Sequence, residues 1–319
     1  MKPVAVLIGL GLFAMALASL LLPFAPLRPL LATDPALVRT ILVELRLPRT
    51  LLALGYGAML GGAGAAIQAL FANPLASPDI TGASSGAALG AVVTAYLFDL
   101  AGPLATMLGG VAGALGALGL LLALAGPRAE TATLLLAGVA ISAVTAAATT
   151  LALALAPSPF AFYDAYDWLM GSLVDRSLTQ LAFAAVPMAA ALVLLASRTV
   201  ALDTLALGEE TAAAMGHDLA ALRRLVVVAA AVGVGAGVAV CGAVGFIGLV
   251  APVLARRITR GHAGRAITWA AAIGALLLAV ADLVTRMAPL GRVLPVGVVT
   301  ALVGAPFFLA LVARMRWAR

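Results

Sequence analysis

The sequence predicts an all-α, polytopic membrane protein of about ten transmembrane helices, forming one domain over residues 1–319. Three observations carry that prediction. Of 319 residues, 64% are apolar and 10% charged, against roughly 45–50% and about 25% in a soluble globular domain. So few charges cannot solvate the surface of so long a chain, so the bilayer must do it. The apolar residues also fall into runs of the about 20 residues that span hydrocarbon. Glycine, 33 residues in all, recurs at helical spacing, as in Gly57/Gly61, Gly109/Gly113/Gly116 and Gly233/Gly237. Lipid offers little hydrophobic drive between helices, so small residues that let backbones approach favour a tight bundle.

Taken in order, apolar windows place spans near 4–24, 51–72, 80–98, 103–126, 131–156, 179–197, 222–243, 245–258, 266–287 and 294–313. The first follows Met1-Lys2-Pro3 and is longer than the core of a cleaved signal, so it reads as the first transmembrane helix. The eighth is too short to cross about 30 Å unaided and requires packing inside the bundle. Segments 28–50 and 157–177 are more polar, bear proline and read as longer loops with short helices. The stretch 198–221 is the most polar and reads as a structured loop. Ten spans leave no room for a soluble domain and put both termini on one side. With that side cytoplasmic, twelve of the 19 basic residues fall inside and seven outside, as the positive-inside rule expects. The seven are Arg28, Arg39, Arg46, Arg49, Arg176, Arg286 and Arg292, an outer charge that asks for an acidic partner.

Several chemistries are excluded. Lys2 is the only lysine, so a phosphate loop of the form GxxxxGK followed by Ser or Thr is impossible and ATP is not hydrolysed by that route. His217 and His262 fall in loops, which leaves no histidine cage for a metal or haem in the membrane core. Basic residues are scattered, without aromatic interleaving, and do not form a nucleic-acid surface. Cys241 is the single cysteine and permits no intrachain disulfide. Among thirteen carboxylates, Asp282 stands well inside an apolar run. Such a charge costs about 2.5–3.5 kcal/mol on insertion scales and marks a functional or paired residue. Arg286, four residues on, lies on the same helical face. Asp282 is therefore either a structural ion pair or the relay of a proton-coupled secondary transporter. Gln68 is likewise a packing hydrogen bond or a path contact.

Seven blocks then occur in order. They are Arg46-Leu47-Pro48-Arg49, Gln68 through Asn73-Pro74-Leu75-Ala76-Ser77-Pro78-Asp79, Leu134–Gly138, Trp168–Leu173, Leu205–Glu209 with Met215-Gly216, Gly245–Pro252, and Leu294–Ala301 with Gly304–Pro306. Together they resemble the permeases of type II ATP-binding-cassette importers for iron-siderophores, haem and cobalamin, over about 41 to 312. The resemblance implies a bundle of the cobalamin-permease type, working with a second permease subunit, two ATPase subunits and an external substrate-binding protein. ATP and magnesium would belong to the ATPase, with no cofactor or metal in this subunit, which is not itself an enzyme. The location implied is the cytoplasmic membrane of a bacterium or archaeon.

The resemblance assigns roles residue by residue. Asn73, Leu75, Thr131 and Ala132 match the cytoplasmic gate. The loop about 203–218, with Leu207, Gly208, Glu209, Glu210, Ala213, Met215 and Gly216, matches the segment that docks on the ATPase. Arg46, Arg49 and Arg286 match the outward arginines that meet the binding protein. The Asn-Pro-Leu-Ala block followed by Ile80-Thr81-Gly82, with Trp168–Leu173, leans toward a ferric siderophore over haem, cobalamin or molybdate. Two departures stand out: Val253 where the family has histidine, and Val293 where it has glutamate.

Overall fold

The computed structural model describes residues 2–100, 102–126, 131–288 and 294–317, the side chains of 2, 125, 131–132, 311–312 and 314–317 excepted. The chain starts with α1 (Lys2–Leu21), then two short helices, α2 (Leu27–Thr33) and α3 (Pro35–Thr40). A π-helical run, Ile41–Arg46, leads without a break into α4 (Leu47–Leu70), and Pro48, which has no N–H to give, sits at their junction. Next come α5 (Ala83–Val92), extended as a π-helix over Val93–Leu97, α6 (Pro103–Ala125) and α7 (Thr131–Ala154). The α8 helix (Pro159–Leu169) starts on the Ser158 side chain. A capping box of Ser177 and Gln180 starts α9 (Leu178–Ala196). Two short helices, α10 (Thr199–Leu205) and α11 (Glu209–Ala214), precede α12 (Leu219–Cys241), which is capped by Asp218. The chain ends with α13 (Ile247–Ile258), α14 (Ala266–Met287) and α15 (Val296–Trp317).

Each of the ten expected spans is a helix. Seven are long and apolar enough to cross a membrane alone, while the α5 unit and α15 have shorter apolar stretches and α13 has twelve residues. A buried face lets α13 sit at membrane depth: it packs on α4 and α14, with Ile247, Leu249, Ala251 and Ala255 inside. The helices alternate in direction, so α1 begins and α15 ends at the end of the bundle that carries α10 and α11.

Glycine decides which helices touch. A Cβ on Gly57 would stand 2.4 Å from the Gly274 carbonyl oxygen, and one on Gly61 2.1 Å from that of Ala270. These contacts join α4 to α14, the most extensive helix pair in the molecule. A Cβ on Gly113 would meet the Gly86 oxygen at 2.1 Å, joining α6 to α5. Gly233 and Gly237 of α12 receive Met59 and Tyr56 of α4. Gly116, third in its spaced series, has nothing within 4 Å and takes no part.

Candidate functional site

At the α10–α11 end, the helix α4 stops where Pro74 cannot continue it. Asn73 is buried, and its Oδ1 accepts the Leu75 N–H at 2.9 Å, a local bond that holds the turn in place of another helical turn. Asn73 shares a small cavity with Phe71, Ala76, Ile80, Thr81, Leu134 and Leu135. The Asn-Pro-Leu turn therefore meets the first turn of α7. Thr131 and Ala132 open that helix, but their side chains lie outside the described residues. Leu75 is half-buried beside the turn. Gln68 is fully buried on α4, with Nε2 3.5 Å from the Leu249 carbonyl and Oε1 lacking a partner among the described residues.

Beyond this turn, α10 and α11 form a protruding step. Gly208 sits at φ +110°, which lets the chain reverse. The α11 helix closes in a Schellman arrangement: His217 N–H donates to the Ala212 carbonyl at 3.1 Å and Gly216 N–H to that of Ala213 at 2.9 Å, with Gly216 at φ +87°. Leu207, Gly208, Glu209, Glu210, Ala213, Met215 and Gly216 are all exposed, while Leu202, Leu205 and Ala212 anchor the step from beneath. Two ties stiffen it. Glu209 pairs with Arg223 of α12, and Asp203 Oδ1 accepts the Gly264 N–H at 2.8 Å, joining α10 to the turn before α14.

Near the opposite end, three chain breaks meet at one joint. Gly242 ends α12 at φ +72°, and a Cβ there would lie 1.9 Å from the Trp168 carbonyl oxygen. Ser172 N–H donates to the Cys241 carbonyl and Val296 N–H to that of Gly171, both at 2.8 Å. The Tyr56 hydroxyl donates to the Gly242 carbonyl at 3.2 Å. Beside this joint a cavity of about 1080 Å³ opens between the α5 and α6 ends, α8, the 170–177 loop and Leu294-Pro295. Burial pulls the Arg176 guanidinium on its wall below its ordinary value, partly offset by Cys241, Asp175 and Asp164.

The chain matches the FecCD transport family over residues 5–314. The chain belongs to the FecCD family. The Fe(3+) dicitrate transport system permease protein FecD of Escherichia coli (strain K12) is 40% identical over 280 residues, 86% of each chain. The vitamin B12 import system permease protein BtuC of Vibrio cholerae is 40% identical over 292 residues, 88% of this chain and 84% of that one. A solved inward-facing structure of a metal-chelate type ABC transporter superposes with a TM-score of 0.85 at 28% identity, covering 98% of this chain and all of the other. This chain is thus a multi-pass permease of an ABC importer.

FecCD membership takes the chain out of the proton-coupled class that was the alternative for Asp282, and the structure gives that residue another job. Asp282 is 1% exposed and lies between two arginines. Arg286 Nη2 reaches Oδ2 at 2.5 Å, and Arg49 Nε donates to Oδ1 at 2.9 Å. The Arg286 pair follows from the i, i+4 spacing; Arg49 comes from 233 residues away. Arg286 also donates to the Ser19 carbonyl at 2.7 Å, and the Ser19 and Thr50 hydroxyls lie 2.7 Å apart. Arg46 donates to the Leu20 and Pro23 carbonyls, each at 2.9 Å. The three arginines expected to face a partner are therefore occupied within the FecCD chain, tying the end of α1 to α4 and α14. Of the two departures from the family pattern, Val253 is half-buried in α13 and Val293 lies outside the described residues.

The segment 157–177, expected as a longer loop with short helices, holds α8, whose bounds the sequence reading left unplaced. Its signal was present: Ser158 before Pro159 is a helix start, followed by aromatic and acidic residues at helical spacing.

Proposed function

We propose that this permease imports a bulky metal chelate, a ferric siderophore before haem, cobalamin or molybdate. ATP hydrolysis on a separate pair of ATPase subunits, which hold the nucleotide and magnesium, would drive it. The observation that supports this most is the exposed α10–α11 step. It presents two acids and the apolar Leu207 and Met215, 68% and 58% exposed, on a frame tied to α12 and to the turn before α14. A push there is passed to α12 and α14, which both pack on α4, the helix that leads into the Asn73–Leu75 turn. That turn, with Thr131 and Ala132 at the start of α7, is the proposed gate, and Gln68 one turn away is the polar contact of the path. The α10–α11 end would face the cytoplasm, with both termini, and the assembly would sit in the inner membrane as a dimer of permeases.

At the other end, an external binding protein would deliver cargo. The docking role of Arg46, Arg49 and Arg286 then requires exchange of their internal acceptors. Arg46 gives up two neutral carbonyls, whereas Arg49 and Arg286 would have to release a buried carboxylate. Arg46 is accordingly the docking arginine of least cost, since an incoming carboxylate offers it the stronger charge-assisted bond.

The test is uptake of chelated ⁵⁵Fe by vesicles holding the permease with its ATPase and binding protein. Uptake should require ATP, and Glu209→Arg with Gly216→Pro should leave ATPase activity while abolishing transport. Uptake without the ATPase subunit would end this reading. An absorption spectrum of the co-purified binding protein separates ferric siderophore, haem and corrinoid.

A further inference from the structure

We infer that the large cavity beside the glycine joint is a charge-selective vestibule, favouring a chelate with a cationic or donor-rich periphery and disfavouring an anionic one. This rests on the permease reading and sharpens its substrate class. At about 1080 Å³ the cavity slightly exceeds the about 300–1000 Å³ of ordinary small-molecule sites, so a folded metal chelate fits.

Its walls are not neutral. Asp164, Asp167 and Asp175 line it, against one guanidinium, that of Arg176. Among the described residues none of these four is in an ion pair, and Arg176 Nε reaches only the Ser172 carbonyl, at 3.4 Å. Among the described residues the wall thus carries an excess of two negative charges. Low-dielectric walls around such an excess focus its field into the cavity. The rings of Tyr96 and Trp168 share the lining, and aromatic faces attract cations.

The sequence builds this surface through one short helix. The cap at Ser158 and Pro159 sets the register of α8, so that Asp164, Asp167 and Trp168 face the cavity. Phe160 and Tyr163, 86% and 66% exposed, turn away. Asp164 and Asp167 are three residues apart and so share a face. Asp175 and Arg176 come from the loop before α9, on the other side of the glycine joint.

The test uses the purified permease–ATPase complex without binding protein, at low ionic strength, with Trp168 as reporter. Two probes are titrated: ferrioxamine B, which carries one ammonium group, and anionic ferric citrate. Ferrioxamine B should quench at a concentration at least about tenfold lower, the low end of what focused fields produce, and 0.5 M salt should shrink the gap. Trp168→Phe should remove the differential quenching. The triple variant Asp164→Asn, Asp167→Asn, Asp175→Asn should abolish the preference, with Asp167→Asn alone reducing it should the triple variant fail to elute as one species. Equal quenching by both probes, preference for citrate, no quenching beyond that of Trp168→Phe, or a preference that survives neutralisation would each overturn the inference. ATP-driven uptake by the complete transporter is scored separately: its absence sinks the permease reading, whereas uptake beside a charge-blind vestibule sinks only this one.

Discussion

Helices α1 and α4 are both apolar, both rich in small residues, and belong to opposite mechanical classes. The apolar window of α4 is 78% buried in the bundle and that of α1 6%. The α4 helix is held by backbone contacts along its length, where Gly57, Gly61 and Gly64 admit the main chains of α14 and α13. Its neighbour α1 touches the bundle lightly and is fixed near one end by hydrogen bonds from Arg46 and Arg286 to its last carbonyls. Hydropathy finds both spans, with α1 the more apolar. What separates them is where glycine meets a backbone and where a polar group finds a partner, and neither depends on mean apolarity.

The largest effect expected is at the polar end of α1. Asp282→Ala leaves two guanidinium groups facing each other in a buried site. Removing one member of such a network costs about 3–5 kcal/mol, because the remaining charge is uncompensated. The thermal midpoint of the detergent-solubilised permease should fall by several degrees, and tryptic cleavage at exposed Arg39 should accelerate as α1 loosens. An unchanged midpoint would mean that α1 is held by something other than this bridge.

Next in size is the glycine seam of α4. A Cβ at Gly64 would stand 1.9 Å from the Gly248 carbonyl oxygen, with backbone and no flexible side chain to yield. Gly64→Ala should therefore cost about 1–3 kcal/mol through overpacking, read as a lowered midpoint with cleavage at Arg39 unaltered. Should Arg39 become labile as well, the two modes of attachment are not independent. Smaller again is Arg46→Gln. It removes two charge-assisted bonds to carbonyls at a half-buried site, for a loss of about 1.5 kcal/mol. Cleavage at Arg39 should rise less than in Asp282→Ala.

The ten spans were legible because hydrocarbon demands long apolar runs, a constraint each segment meets within its own sequence. Capped starts carry a signal just as local, which the apolar windows left unread: Asp218 before α12 and Ser177 with Gln180 before α9 act within four residues. The Arg286–Asp282 pair needed only a helical spacing. Long-range partners were not legible. Arg49 meets Asp282 across 233 residues, and no local pattern says that two arginines expected to face outward share one buried acid. The cavity failed for a related reason. Its lining comes from α5 and its π-helical extension, α6, α8, α9, α12 and two loops, so its charge excess exists only once they are assembled. The proposed gate was legible only in part: the Asn73–Leu75 turn was readable from asparagine and proline, but its meeting with Leu134 and Leu135 was not.

The smallest effect is the sharpest check on the comparison, because it repeats the Gly64 substitution on α1. Gly9 has nothing within 4 Å of an added Cβ, so alanine meets no backbone and needs no shift. Alanine is favoured over glycine in a helix interior by about 0.5–1 kcal/mol, through lower backbone entropy in the unfolded chain. Gly9→Ala should then raise the midpoint by a degree or two where Gly64→Ala lowers it. Opposite signs from one chemical change would show that glycine in α4 serves contact and glycine in α1 serves nothing of the kind. A loss at Gly9 comparable to that at Gly64 would mean that α1 is packed along its length by a surface that becomes available only in the assembled transporter.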